Sequence, residues 1–155
     1  MKKNKFLFPL VMLISTLIFS GCPESKKSAS IDEVYAKMES TVELPSEMIK
    51  MDDNDFINQF GFNLEDFDRY IFAQGKNTLL AETIVLIKAK DGIDMNQIKG
   101  KLEGFASDLE IMFNGYIPEQ GQVAGKRVIA VKGNYAYLLM SSKVSELKKI
   151  AQEMI

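Results

Sequence analysis

The chain has 155 residues and a formal charge of −2, with no histidine and one cysteine. It therefore lacks the commonest general base, the commonest zinc ligand and any intramolecular disulfide. Histidine-dependent triads and the usual zinc or haem sites are excluded, which leaves carboxylate or lysine chemistry, or none.

Lys2, Lys3 and Lys5 open the chain, and an uncharged, mostly apolar run follows from Phe6 to Phe19. Ser20 and Gly21 are small and lead directly into Cys22. A positive start, a short apolar stretch and small residues at a cut site define a secretory signal peptide over residues 1–21. The run, broken by Pro9, Ser15 and Thr16, is shorter than the roughly 20 apolar residues that span a bilayer. Phe19-Ser20-Gly21-Cys22 resembles a bacterial lipobox, with Phe19 standing where leucine is usual. The resemblance implies that Cys22 is the lipid-attachment residue, acylated with diacylglycerol after cleavage just before it. A retained signal anchor, or an ordinary signal peptide with an incidental cysteine, are the competing readings. Residues 22–30, ending in PESKKSAS, are polar and small, as a flexible spacer should be. Multiple acyl chains hold a membrane durably where one does not. The expected address is the outer face of the cell membrane.

All 21 acidic residues but only 16 of the 19 basic ones follow Gly21, so the remainder carries −5. An acidic surface argues against nucleic acid and against a polybasic grip on anionic lipid. Residues 31–155 suffice for one domain with a real core.

Ile31, Val34, Tyr35, Met38 and Val42 recur at helical spacing, with Ser30 as N-cap and Glu33 three residues on. Pro45 ends that pattern. A second, short helix starts at Asp52 or Asp53, carries Phe56, Ile57 and Phe60, and stops at Gly61. Residues 63–67 suggest one more helical turn. Arg69–Gln74 and Leu79–Ala89 read as strands, with Gly75-Lys76-Asn77 as a hairpin turn. The second run, LLAETIVLIKA, is nearly continuous in apolar character, which suits a strand covered on much of both faces. Asp91-Gly92 is a stop. A long helix over about residues 93–114 carries Ile98, Leu102, Phe105, Leu109 and Met112 as an apolar stripe. Gly115, Pro118 and Gly121 mark a loop. Arg127–Val131 and Tyr135–Met140 are two more strands around Gly133-Asn134, and residues 142–155 close as a helix. The expected fold is α+β: a mainly antiparallel sheet of about four strands in two hairpins, with helices packed on one face.

Asp52-Asp53-Asn54-Asp55 is the densest cluster of oxygen ligands. A calcium loop would need glycine at its sixth position and glutamate at its twelfth, and neither register supplies them. Helix capping is the expected use. Glu65, Asp66 and Asp68 form a second acidic group, read as a solvated helix end unless two carboxyls oppose each other across a cleft. Glu82 stands out because it lies in an apolar strand, where a buried carboxylate needs a partner or a raised pKa. Lys88 on the same face suggests instead an exposed rim. Gly115, Gly121, Gly125 and Gly133 form no phosphate loop. Tyr116, Tyr135 and Tyr137 suit either a carbohydrate or peptide groove or the core.

The segments VELPSEMIKMDD, FGFNLEDFDRYIF, ETIVLIKAKDG and KGNYAYLLMS follow the lipobox in order. This series, over residues 31–155, resembles the small Firmicutes lipoproteins known as domain of unknown function 4358. The resemblance implies a surface address and brings no catalytic residue, metal or cofactor. Three classes of function follow: a non-enzymatic envelope interaction or accessory module with a protein or peptide partner; a ligand-binding lipoprotein with a concave apolar pocket; or a carboxylate-dependent wall hydrolase.

Overall fold

The computed structural model describes residues 28–155. The signal peptide, Cys22 and the spacer as far as Lys27 lie outside the described residues. Residues 28–30, expected as the end of the spacer, are docked on the fold. The Ser28 hydroxyl donates to the Ile155 carbonyl at 3.1 Å. The Ala29 amide donates to the Met154 carbonyl at 2.9 Å. Ser30 closes a capping box with Glu33 at the start of α1, Ile31–Thr41.

The remaining elements are β1 (Met48–Lys50), α2 (Asp53–Phe60), a 3₁₀ turn (Leu64–Asp66), β2 (Phe67–Gly75) and β3 (Thr83–Ala89). They continue with α3 (Met95–Tyr116), α4 (Pro118–Gly125), β4 (Val128–Lys132), β5 (Tyr135–Met140) and α5 (Val144–Met154). The α+β class holds, and every pairing in the sheet is antiparallel. The sheet has five strands rather than four, in the order β1-β2-β3-β5-β4. The added strand, β1, is three residues long and pairs Met48 with Gly75. So short a strand carries no period of its own.

Helices cover both faces of the sheet, not one. Alternate side chains of β3 explain why. Val85, Ile87 and Ala89 join the core under α2, α3 and α4, built around Phe56, Phe60, Leu102 and Phe113. Ile84 and Leu86 join the core under α1 and α5, with Val34, Met38, Leu147 and Ile150. A central strand that is apolar at consecutive positions has to be covered twice, because each unburied aliphatic side chain forgoes about 1.5–3 kcal/mol. The first core is dominated by aromatic rings: Phe56 is fully buried and stacks on Tyr70 with centroids 4.1 Å apart and planes 5° off parallel.

The two hairpins differ. β4 and β5 turn through Gly133-Asn134 as expected, with Gly133 at φ 57°. Between β2 and β3 the chain instead takes a seven-residue excursion, residues 76–82, so Leu79–Glu82 precede the strand rather than belong to it. Asn77 makes the local turn: its side-chain oxygen accepts from the Leu79 amide and its carbonyl from the Leu80 amide, both at 3.1 Å. Residues 118–125, expected as loop, are helical.

Candidate functional site

The carboxyl clusters singled out in the sequence are used locally. Asp52 caps α2, accepting from the Asp55 amide at 2.9 Å, and Asp53 accepts from the Tyr70 hydroxyl. Asn63 caps the turn that holds Glu65 and Asp66, and Asp68 pairs with Lys88 at 3.5 Å. Among the described residues no group of three acidic, cysteine or histidine side chains is placed to hold a metal ion. The tyrosines do not meet: Tyr137 is in the core between the sheet and α1/α5, Tyr135 packs beside it, and Tyr116 is 75 % exposed on α3, across the sheet.

A large open cleft of about 940 Å³ lies where Ser28 joins the fold, lined by Asp32, Asp68, Arg69, Lys88 and Tyr135 among others. Its charges are already matched. The Arg69 guanidinium donates two hydrogen bonds to Asp32 at 2.8 and 2.9 Å, which holds the Asp32 carboxyl below its ordinary pKa. Lys88 is taken by Asp68. As a half-exposed set, these pairs each contribute little to stability.

Glu82 is different. It sits at the other end of β3, 3 % exposed, in the residue position just before the strand starts. Its Oε1 accepts from the Ser142 amide at 3.4 Å, at the corner where β5 passes into α5. Its Oε2 is buried with no hydrogen-bond partner. Burial raises the Glu82 pKa from its ordinary value, against the opposing pull of Ser141 and the Ser142 N–H. The rim position suggested by Lys88 is therefore corrected: Lys88 is half-exposed at the far end of β3, and Glu82 is inside. The other orphaned oxygen among the described residues, the Tyr35 hydroxyl, lies in the opposite core, where burial likewise raises its pKa.

Glu82 also lines a cleft of about 220 Å³ between the 76–82 loop and the C-terminal half of α3. Gln74, Thr78 and Thr83 add polar groups; Leu80, Leu109, Met112 and Phe113 form apolar walls. Three residues that the sequence reading did not tie to Glu82 build this corner. Gln120 on α4 accepts the Ala81 amide through its side-chain oxygen at 2.9 Å. The Gly75 amide donates to the Glu82 carbonyl at 2.9 Å, and a Cβ at Gly75 would come within 3.1 Å of the Glu82 Cβ. The Ser141 hydroxyl oxygen accepts from the Lys143 amide at 2.9 Å, shaping the turn that faces Glu82. Outside the cleft Leu79, Ile111 and Tyr116 are exposed apolar side chains, and Met112 on its wall is exposed as well.

A three-layer α+β domain, its five-stranded antiparallel sheet enclosed by helices on both sides, with one buried carboxyl at a sheet end, is the class that this geometry defines. The profile of the family described as Domain of unknown function (DUF4358) matches residues 40–141, and the chain belongs to that family. The matched span runs from the end of α1 to the end of β5 and includes Glu82 and its cleft. Neither the curated proteins nor the solved structures contain a match.

Proposed function

We propose that the protein is a lipoprotein held on the outer face of the cell membrane by a diacylglyceryl group on Cys22, and that its domain works as a non-enzymatic interaction or accessory module. The observation that carries this is the N-terminal order of Lys2, Lys3 and Lys5, an apolar run and Ser20-Gly21-Cys22. Ser28 and Ala29, docked on the fold, follow Cys22 closely in sequence, which is consistent with it. Among the described residues no helix is long and apolar enough to cross a membrane. The lack of histidine and of a second thiol supports a non-enzymatic role.

A second reading, capture of a small solute or peptide, is favoured by the cleft at Glu82, which joins apolar walls to a few convergent polar groups. Paired-carboxylate hydrolysis draws no support there, since Glu82 is the sole acidic residue among those that line that cleft. Labelled palmitate incorporation tests the anchor: label is expected in the wild type and lost in Cys22→Ser. Equal labelling of the two would overturn the lipoprotein reading.

A further inference from the structure

The sheet ends in two edges of unlike character. At one, β1 is three residues long, too short to offer much of a template. At the other, β4 runs for five residues, VIAVK, in unbroken register with β5 and without a proline or a bulge. The neighbouring ladder fixes which of its backbone groups face outward. The Ala89 amide of β3 donates to the Asn134 carbonyl, so the even-numbered residues of β5 turn their polar groups to β3 and the odd-numbered ones to β4. Tyr135, Tyr137 and Leu139 are thus bonded to Lys132, Ala130 and Val128. The N–H and C=O groups of Ile129 and Val131 point away from the sheet, and among the described residues no hydrogen bond reaches them. Val131 is exposed as well. Residues 126–132 hold three basic residues and no acidic one. Arg127 is taken by Glu110. Lys126 and Lys132 are exposed and have no ion-pair partner among the described residues; Glu153, which lines an open hollow with Lys132, pairs with Lys149.

We propose that the β4 edge takes up an extended segment of another protein as a sixth antiparallel strand, with acidic side chains at both ends of that segment and apolar ones beside Ile129 and Val131. Main-chain hydrogen bonds supply the attraction in strand addition, and alternate side chains supply the choice of partner. Ile129 and Val131 each offer one donor and one acceptor, so an antiparallel strand gains four bonds. Both side chains lie on the α3 face, since Ile129 packs against the core there and Val131 is two residues on. The segment's residues opposite them share that face and cover the exposed Val131. Charge selects the ends: the unpaired Lys126 and Lys132 flank the strand and favour carboxylates across from them. The same two lysines argue against a second copy of this chain, whose antiparallel edge would set the Lys132 end of each copy beside the Lys126 end of the other. This inference rests on the interaction-module reading for the kind of partner and is independent of whether Cys22 carries lipid.

Titration of the full chain in detergent micelles with the peptide acetyl-Asp-Val-Thr-Ile-Thr-Thr-Asp-amide, followed by amide chemical shifts, tests it. Shifts are expected at residues 129 and 131. The proposed register sets the peptide's second residue opposite Val131 and its fourth opposite Ile129. N-methylation of those two residues removes the donors that face β4 and should lower affinity by about tenfold or more. N-methylation of the third and fifth, whose N–H groups face away, should leave it unchanged. A peptide with lysine in place of both aspartates should bind more weakly, by a margin that closes as salt is added. The double variant Lys126→Glu, Lys132→Glu should reverse that order. Val131→Pro deletes an outward N–H that an edge strand can spare, so peptide binding should fall while the melting temperature holds. Equal affinity of the two N-methylated peptides, equal binding of the lysine-ended peptide at low salt, or no shift at residues 129 and 131 would overturn the proposal. Dimers in sedimentation that disappear in Val131→Pro would assign the edge to a second copy and overturn it as well. Each of these outcomes leaves the palmitate test of the anchor untouched.

Discussion

The side-chain oxygen of Gln120 accepts the backbone amide of Ala81 at 2.9 Å, tying the loop that delivers Glu82 to a helix 39 residues further along the chain. Ala81 is itself buried, so its N–H has no water to fall back on. Gln120→Ala should cost about 1–3 kcal/mol, the usual penalty for orphaning a buried donor. Amide exchange should rise selectively over residues 76–82. Exchange that rises evenly across the domain would mean that the bond is not what holds the loop.

Gly121, the next residue, is where α4 crosses closest to α3. A Cβ there would lie 2.9 Å from the Asn114 backbone nitrogen, closer than real Cβ contacts come. Gly121→Ala is expected to push the two helices apart and cost about 1–3 kcal/mol, the range for overpacking. Thermal denaturation checks this, and the Ala81 amide should lose protection with it.

The pH dependence of stability isolates Glu82. Its pKa is raised in the fold from an ordinary value of 4.5, so its neutral form is the one the fold favours. The stabilisation it brings is complete below that ordinary value and is lost as pH rises through the raised value. Glutamine carries no such charge. Glu82→Gln should therefore gain on the wild type as pH rises from 4 to 8, by about 1.4 kcal/mol for each unit of the shift. A melting-temperature difference that stays flat over that range would contradict the burial of an uncompensated carboxyl.

Phe56 anchors the core beneath α2, with Phe60, Phe62, Phe67, Tyr70 and Phe72 all within 6.3 Å centroid to centroid. Phe56→Ala should cost about 3–5 kcal/mol by loss of burial and the cavity left behind. Chemical denaturation at unchanged slope is the measurement, and a loss under 1 kcal/mol would mean that the rings repack around the gap.

Local chemistry was legible where one segment decides its own structure. Ser30 and Glu33 name the start of α1, Gly61 its neighbour's end at φ 61°, and Gly133-Asn134 the tight turn. What escaped depends on partners distant in sequence. β1 exists because Met48–Lys50 pair with Ala73–Gly75. PEQGQVAG reads as loop, yet Pro118 is acceptable in a first helical turn and Gly121 is required by the crossing with α3. The apolar run from Leu79 hid the start of β3, since nothing in LLAE separates the residues that precede the strand from the strand itself. Glu82 could be flagged as out of place from its neighbours alone. That Ser142 takes one of its oxygens and nothing takes the other is a product of the fold.

The bonds from Ser28 to Ile155 and from Ala29 to Met154 also fix how the domain would bear a mechanical load. A pull on the residues before Ser28 meets these two bonds first, then α1 along its contact with α5. Tension at the N-terminal end would thus be spent on the last turn of α5 before it reached the corner where Glu82 meets Ser142.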